Sequence, residues 1–263
     1  MIISFWNIRN NIINSLIYEL IVNNNIDILV LAECKREKAE KLINDLYKEN
    51  LVYKIIEIAP VCKKIIVIYK EDIVVSKVLR DSSNHITINI NRNMLDFKLI
   101  ALHLPSALYG GNENGYCYIQ AIKRDIEEFD NVIVVGDFNY SPFDSFMVNA
   151  SAFSAIPSKN ISKRKVCGHF FKVLYNPMWN FFGDFSEIPG TYYYNNSADK
   201  NYYWYLLDQV LFTNDILKQY KDRSTKIIKK IGDKSLLGKT GINEKYSDHL
   251  PILFELKEEN NGR

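Results

Sequence analysis

The stretch "NVIVVGDFNYSP", residues 131 to 142, constrains the fold more than any other part of the chain. Val132 to Val135 form an unbroken apolar run, the mark of a strand driven through a core. The run stops at Gly136, and then come Asp137, one aromatic residue and Asn139. A core strand that delivers a carboxylate and a carboxamide at its tip must either use both groups or spend them in a turn. Taken in isolation "GDFN" reads as a turn, since Asp and Asn after Gly are ordinary turn formers.

Other strand candidates finish in the same way. "IISFW" ends at Asn7, "ILVLA" at Glu33 and "LIAL" at His103, while Asp208 lies beside "QVLF". "YSDHLPILFEL" sets Asp248 and His249 just before the last strand candidate. Strand tips at one sheet edge are where α/β proteins commonly build sites. Carboxylates with carboxamides supply hard oxygen ligands, suited to Mg²⁺ or Mn²⁺ rather than zinc. Two histidines add proton transfer or hydrogen-bond donation. Each residue alone also has a plain structural reading. Glu33 fits a helix-start charge, Asp248 and His249 a solvated loop pair, His103 a satisfied core histidine, and Asp208 a salt-bridge partner. The combination and its order carry the weight.

Ile12, Leu16, Ile17 and Leu20 fall at helical spacing in "NNIINSLIYELIVNNN", and asparagines mark the exit. "KREKAEKLINDLYKEN" and "GYCYIQAIKRDIEEF" are further helix candidates. "VYKIIEI", "KIIVIYK", "IVVSKVLR", "HITINI" and "KIIKKI" read as strands, and "NRNMLD" as the turn between "ITINI" and "FKLIALHL". Residues 145 to 205 are aromatic-rich without a clear period and read as long loops and short helices. Strands outnumber helices in mixed order, which argues for a two-sheet α/β core and against a doubly wound parallel sheet.

The 263 residues contain no linker-like stretch, so a single domain over 1–257 is expected, followed by a polar tail over 258–263. A hydrophobic content of 47% is ample for a packed core. The formal net charge of +2 excludes a generally basic chain, so any nucleic-acid contact must come from a local patch. Cys34, Cys62, Cys117 and Cys167 lie far apart with no C-x-x-C pair, against a zinc knuckle or a dense disulfide framework. The start lacks a basic leader region, and no apolar run approaches the ~20 residues that span a bilayer. A cytoplasmic protein without a membrane span is expected.

The same motifs resemble those of the endonuclease/exonuclease/phosphatase superfamily, the DNase I-like proteins. "WNIR" looks like its first motif, "LAECK" like its glutamate motif and "LHLPS" like its central histidine motif. "VVGDFN" and "SDHLPI" look like its two most specific signatures, and "LLDQVLF" like its Asp-bearing strand motif. They appear in family order from residue 7 to 251. The resemblance implies a four-layer α/β/β/α sandwich of two mixed sheets, within the α/β (α+β) class. It implies that Glu33 is the principal metal ligand, with Asn7 beside it and Asp248 completing the shell through water. Asp137 and Asn139 would orient the attacking water and the phosphate, and His249, oriented by Asp208, would contact the scissile phosphate. Which of Asp137 and His249 takes the water's proton stays open. His103 enters as a second catalytic histidine. Arg9 is expected to hold a phosphate, with a surface ion pair as the plain alternative. One departure stands out. DNase I-like members pair the second histidine with a Glu before a central strand, and "VCKKIIVIYK" offers Lys63 and Lys64 there instead. His103 should then be less basic or find another partner.

Substrate choice falls to "PSALYGGNENGYCY" and to residues 151–205. The latter hold Lys159, Lys163, Arg164, Lys165, His169 and Lys172, followed by many aromatics. Basic residues followed by aromatics suit a strand's phosphates and bases, with outer-face packing as the even alternative. Trp204 joins Arg9 and Asn139 as an expected substrate contact. The expectation is a Mg²⁺- or Mn²⁺-dependent nuclease acting on DNA more than RNA, leaving 5′-phosphate and 3′-hydroxyl ends, with no obligate protein partner. The alternative is a phosphatase or phosphodiesterase acting on a small-molecule or lipid phosphate ester. "GDFNYSPFD" lacks the basic motifs that phosphatases of inositol lipids carry nearby.

Overall fold

The computed structural model describes residues 1–57, 61–183, 188–197, 199 and 201–258, and for 107–115 the backbone only. Two large sheets carry the site. The first has six strands in the order Lys226–Ile227, Ile252–Glu255, Ile2–Asn7, Ile28–Ala32, Ile65–Lys70, Tyr53–Ile55. The second has seven: Val74–Asp81, His85–Arg92, Leu95–His103, Val132–Asp137, Asp208–Thr213, Leu174–Tyr175, Ala155–Ile156. Each is mixed. Ile2–Asn7 runs parallel to Ile28–Ala32, and Leu95–His103 runs parallel to Val132–Asp137. Their other neighbours run antiparallel.

The apolar runs are continuous because both faces of these strands are covered. Ile133 and Val135 point into the core between the sheets, among Phe5, Leu99 and Phe212. Val132 and Val134 alternate to the opposite face, where Ile119, Ile122 and Ile126 of the helix Ala107–Glu128 meet them. The outer face of the first sheet is covered by the helices Asn14–Asn24 and Arg36–Lys48 through Leu16, Ile17, Leu20, Leu42 and Leu46. The result is the expected four layers.

Several boundaries depart from the periodicity. Ile12 lies ahead of the first helix and is 87% exposed; the buried face is Leu16, Ile17, Leu20 and Ile21. Asn25 closes that helix in a left-handed conformation, its N–H reaching the carbonyls of Ile21 and Val22. "NRNMLD" is a turn, with Arg92 opposite Leu95 and left-handed Asn93 between them. The third helix begins at Ala107, so much of "PSALYGGNENGYCY" is helical and not a loop. Three glycines there each disfavour a helix by about 1 kcal/mol, and cooperative extension from the packed half overrides them. Residues 145–205 hold short strands as well, including the hairpins 163–172 and 192–205.

Of the expected polar tail, Glu258 lies 3.3 Å from Arg92, and 259–263 lie outside the described residues. All four cysteines are free. Among the described residues no helix is long and apolar enough to cross a membrane.

Candidate active site

Register brings the polar strand ends to one edge. Asn7 pairs with Ala32, which places Glu33 one residue beyond it on the neighbouring parallel strand. In the second sheet His103 pairs with Asp137, and Asp137 pairs with Asp208 across the antiparallel neighbour. His249 precedes the strand Ile252–Glu255, which lies beside Ile2–Asn7. Ends of parallel strands and starts of antiparallel ones therefore meet on the same side of the sandwich.

Gly136 explains why the core run breaks before Asp137. A Cβ there would lie 2.0 Å from the Leu102 carbonyl oxygen of the adjacent strand, so only glycine permits this close approach. Beyond it the chain does turn, with Asn139 at a φ of 56°. The turn serves the side chains. The backbone N–H of Asn139 donates to Asp137 Oδ1 at 2.9 Å, and its side-chain Nδ2 donates to the Leu104 carbonyl at 2.8 Å. Arg9, Asn10 and Glu33 also have positive φ, a conformation that costs non-glycine residues of order 1 kcal/mol and gathers at functional sites.

Asp137 is 1% exposed and sits at the hub. Its Oδ2 accepts from Asn7 Nδ2 at 3.2 Å, and lies 3.7 Å from His103 Nε2 and 3.9 Å from His249 Nε2. Burial pushes its carboxyl well above the usual carboxylate range. Both oxygens of Asp208 face His249 Nδ1, at 2.8 and 3.1 Å. This fixes the ring and turns Nε2 toward Asp137. Burial alone would discharge the imidazole, but Asp208 and Asp137 outweigh it and raise His249 to about 10.

His103 behaves in the opposite way. Its Nε2 stands 3.7 Å from both Glu33 and Asp137, beyond hydrogen-bond reach, and its buried Nδ1 has no partner among the described residues. Burial, then Lys64 and His249, push it down to about 4. Burial is the main cause, and Lys64 of "VCKKII" adds to it where a carboxylate would have opposed it.

Two groups of atoms could receive a cation. Asp137, Asp208 and His249 bring ligand atoms within 4.8 Å of one another. Asp208, however, is fully engaged by His249, so this trio suits orientation of the imidazole better than coordination. The second group is Glu33 and Asn7. The Glu33 side chain is 41% exposed, open to solvent and substrate. Asn7 Nδ2 stands between Glu33 Oε1 and Asp137 Oδ2, 3.2 Å from each, a neutral donor between two carboxylates where a cation would also be favoured. Asn7 Oδ1 accepts from the Arg9 N–H at 3.0 Å, so the carboxamide shows its NH₂ to this gap. It would have to turn over to offer an oxygen beside Glu33, the donor set that suits Mg²⁺ or Mn²⁺.

Other expected residues lie at the rim or away from it. Arg9 Nη1 is 2.8 Å from Glu244, and its Nε is 3.6 Å from Asp248, so the plain ion pair is present. Trp204 pairs with Tyr193 in the 192–205 hairpin and packs on its ring, on the opposite face from Tyr192. Its neighbour Tyr205, with Phe143 and Tyr202, instead lines a cavity of about 210 Å³ beside Asn139.

The sequence reading missed the supports. Tyr192 tilts over the His249 ring, centroids 4.8 Å apart. Thr191 Oγ1 accepts from the Asp208 N–H at 3.1 Å. Ser247 donates its hydroxyl to the Asn7 carbonyl and accepts from the His249 N–H, tying the two sides of the site together. Trp6 Nε1 donates to the His249 carbonyl. Only Ser247 carried a signal, since Ser two residues before a site histidine is a local hydrogen-bonding motif.

Residues 5–249 match the model of a family described as Endonuclease/Exonuclease/phosphatase. No curated protein matches the chain by sequence. Among solved structures, truncated TDP2 of Caenorhabditis elegans aligns at a TM-score of 0.60 and 16% identity, over 98% of this chain and 97% of that one. TDP2 of D. rerio, complexed with single strand DNA product, aligns at 0.65 and 13% identity, over 98% and 99%. A family protein of Leptotrichia buccalis aligns at 0.63 and 14%, over 98% and 100%. At these identities the likeness is one of fold.

Proposed function

The chain belongs to the Endonuclease/Exonuclease/phosphatase family of phosphoester hydrolases, and from that premise we propose that it is a divalent-metal-dependent nuclease. The observation that carries the reading is the convergence of Asn7, Glu33, Asp137, Asn139, Asp208 and His249, from distant parts of the sequence, within hydrogen-bond or ion-pair reach. Glu33 and Asn7 would hold Mg²⁺ or Mn²⁺, with Asp248 reaching it through water; when bound, the ion neutralises charge on the phosphate. His249, raised and therefore cationic near neutral pH, would donate from Nε2 to a phosphate oxygen. That leaves Asp137 as the group that takes the proton of the attacking water, assisted by a carboxyl pKa already lifted toward neutrality. Asn139 would orient the phosphate. His103, held neutral, would donate or accept a hydrogen bond rather than supply charge. Arg9 would reach a phosphate by exchanging its carboxylate partners, and Trp204 would act by fixing the hairpin that carries Tyr205.

DNA is favoured as substrate over RNA, in line with the single strand DNA product held by D. rerio TDP2. The unit is a single domain over 1–257, acting in the cytoplasm, where unpaired cysteines persist. The test is incubation with supercoiled plasmid, single-stranded DNA and structured RNA, with Mg²⁺ or Mn²⁺ against EDTA. Metal-dependent cleavage to 5′-phosphate and 3′-hydroxyl ends is expected. Phosphate release from inositol phosphates without cleavage of any polymer would replace this reading with the small-ester alternative.

A further inference from the structure

The hairpin Lys163–Val166 and His169–Lys172 takes no part in the site, yet it is densely cationic. From Ser158 to Val173 the sequence holds Lys159, Lys163, Arg164, Lys165 and Lys172 with His169 and no carboxylate, against a net +2 for the whole chain. Its turn, Cys167–Gly168, has left-handed φ values of 48° and 84°, the two-residue turn that matches the twist of paired strands. Register sets Lys163 opposite Lys172, Arg164 opposite Phe171, Lys165 opposite Phe170 and Val166 opposite His169.

Alternation sorts these side chains onto two faces. The outer face carries Lys163, Lys165 and Phe170, all exposed, with Phe170 at 67%. Lys165 Nζ lies 5.6 Å from the Phe170 ring centroid. On the inner face Arg164 and His169 join Asn149 and Ser151 around a cavity of about 350 Å³ that no carboxylate lines. Arg164 donates from Nη2 to the Val148 carbonyl, while its buried Nε has no partner among the described residues. Lys159 is paired with Asp222, and Lys172 with Asp130. Among the described residues Lys163, Arg164 and Lys165 make no ion pair. Lys163 directly opposite Lys172 sets like charges across the strands, which opposes the hairpin itself. Asp130 and the Phe129 carbonyl draw the Lys172 ammonium away, whereas the exposed Lys163 and Lys165 keep their charge for a polyanion along the outer face.

Lys172 Nζ donates to the Phe129 carbonyl at 2.8 Å, so the hairpin's base stands beside the residues leading into Val132–Asp137. At ~3.3 Å per residue that strand carries Asp137 about 17 Å farther on, so one strand must span several nucleotides to touch both places. We propose that the hairpin is an anchoring arm that grips the phosphate backbone of a single-stranded nucleic acid through Lys163 and Lys165 and stacks a base on Phe170. The proposal rests on the nuclease reading and adds to it a second contact, used only by strands long enough to reach both places.

The test is fluorescence anisotropy with a long single-stranded oligonucleotide in EDTA, alongside KM for the same strand and for a dinucleotide in Mg²⁺. The double variant Lys163→Gln/Lys165→Gln should bind the long strand about tenfold more weakly at low salt, and its log–log salt slope should fall by about 1.5. Its KM for the dinucleotide should not change. Lys163→Glu gains Lys172 as a cross-strand partner, so it should lose affinity with an unchanged or higher Tm. Equal affinity and slope in variant and parent would overturn the proposal. So would a parent that binds no oligonucleotide, or a hairpin needed for phosphatidylserine vesicles and not for the oligonucleotide. Hairpin-dependent binding without metal-dependent cleavage would uphold the arm and sink the nuclease reading instead.

Discussion

The two site histidines titrate in opposite senses, which separates their contributions to stability. His249 is raised to about 10 in the folded state, against an unfolded value of ~6.5. Its pairing with Asp208 and Asp137 is fully present below the unfolded value and is lost as pH rises through the folded one. His103, lowered to about 4, stabilises the fold above the unfolded value and loses that contribution as pH falls. Urea unfolding of the metal-free protein should therefore lose stability as pH rises from ~6.5 toward 10. On the acid side the raised Asp137 carboxyl, which favours the fold as pH falls, opposes His103. Asp208→Asn should flatten the alkaline limb, and His103→Gln should raise stability near pH 4 to 5 more than at pH 8; profiles parallel to the parent's would contradict both assignments. In the catalytic assay His249→Ala or Asp137→Asn should lower kcat by at least ~10² with far-ultraviolet circular dichroism unchanged. Such residues could be singled out in the sequence only together, because each alone has an ordinary structural use and the recurrence of polar residues at strand tips, in the family's order, set them apart. Thr191, Tyr192 and Trp6 could not be, because what they do is set by contacts between segments far apart in the chain.

Among the elements, the strand Val132–Asp137 has least freedom to vary. Its alternate residues feed two different cores, and its Gly136 lies against a neighbouring carbonyl. Gly136→Ala should destabilise the protein by about 3 kcal/mol or more, read as a lower urea midpoint, because backbone must move to admit the methyl group. A midpoint within error of the parent would mean that the strands part more easily than their register implies. Core strands and the amphipathic helices were readable from apolar runs and period. Short paired segments such as Tyr192–Tyr193 with Trp204–Tyr205 were not, since two residues carry no period and their pairing depends on tertiary contacts. The helix from Ala107 was masked by its glycines for a related reason: local propensity disfavoured what the packed remainder enforces.

At the scale of the whole molecule, the proposed cation site joins the two sheets. Glu33 and Asn7 belong to the first sheet and Asp137 to the second, so an ion held by the first pair also screens a buried charge of the second. Saturating Mg²⁺ at about 100 times its Kd should stabilise the folded protein by about 2.7 kcal/mol, seen as a higher Tm by calorimetry. Glu33→Gln should abolish that rise; a rise that survives would move the ion to Asp137, Asp208 and His249. The two-sheet core was legible from strand-rich, mixed order, while the four layers followed only from the family resemblance. How the two sheets bring Asn7 and Asp137 within 3.2 Å was not legible, because no single segment encodes it.

Mounting the site's groups on two separate sheets has a consequence for how the molecule fails. Groups mounted on separate slabs stay aligned only while the slabs do not slide, and a displacement near 1 Å at a reacting centre can cost about 10² in rate. Mild denaturant should accordingly silence turnover before it melts either slab, leaving an inert yet folded population between the two transitions.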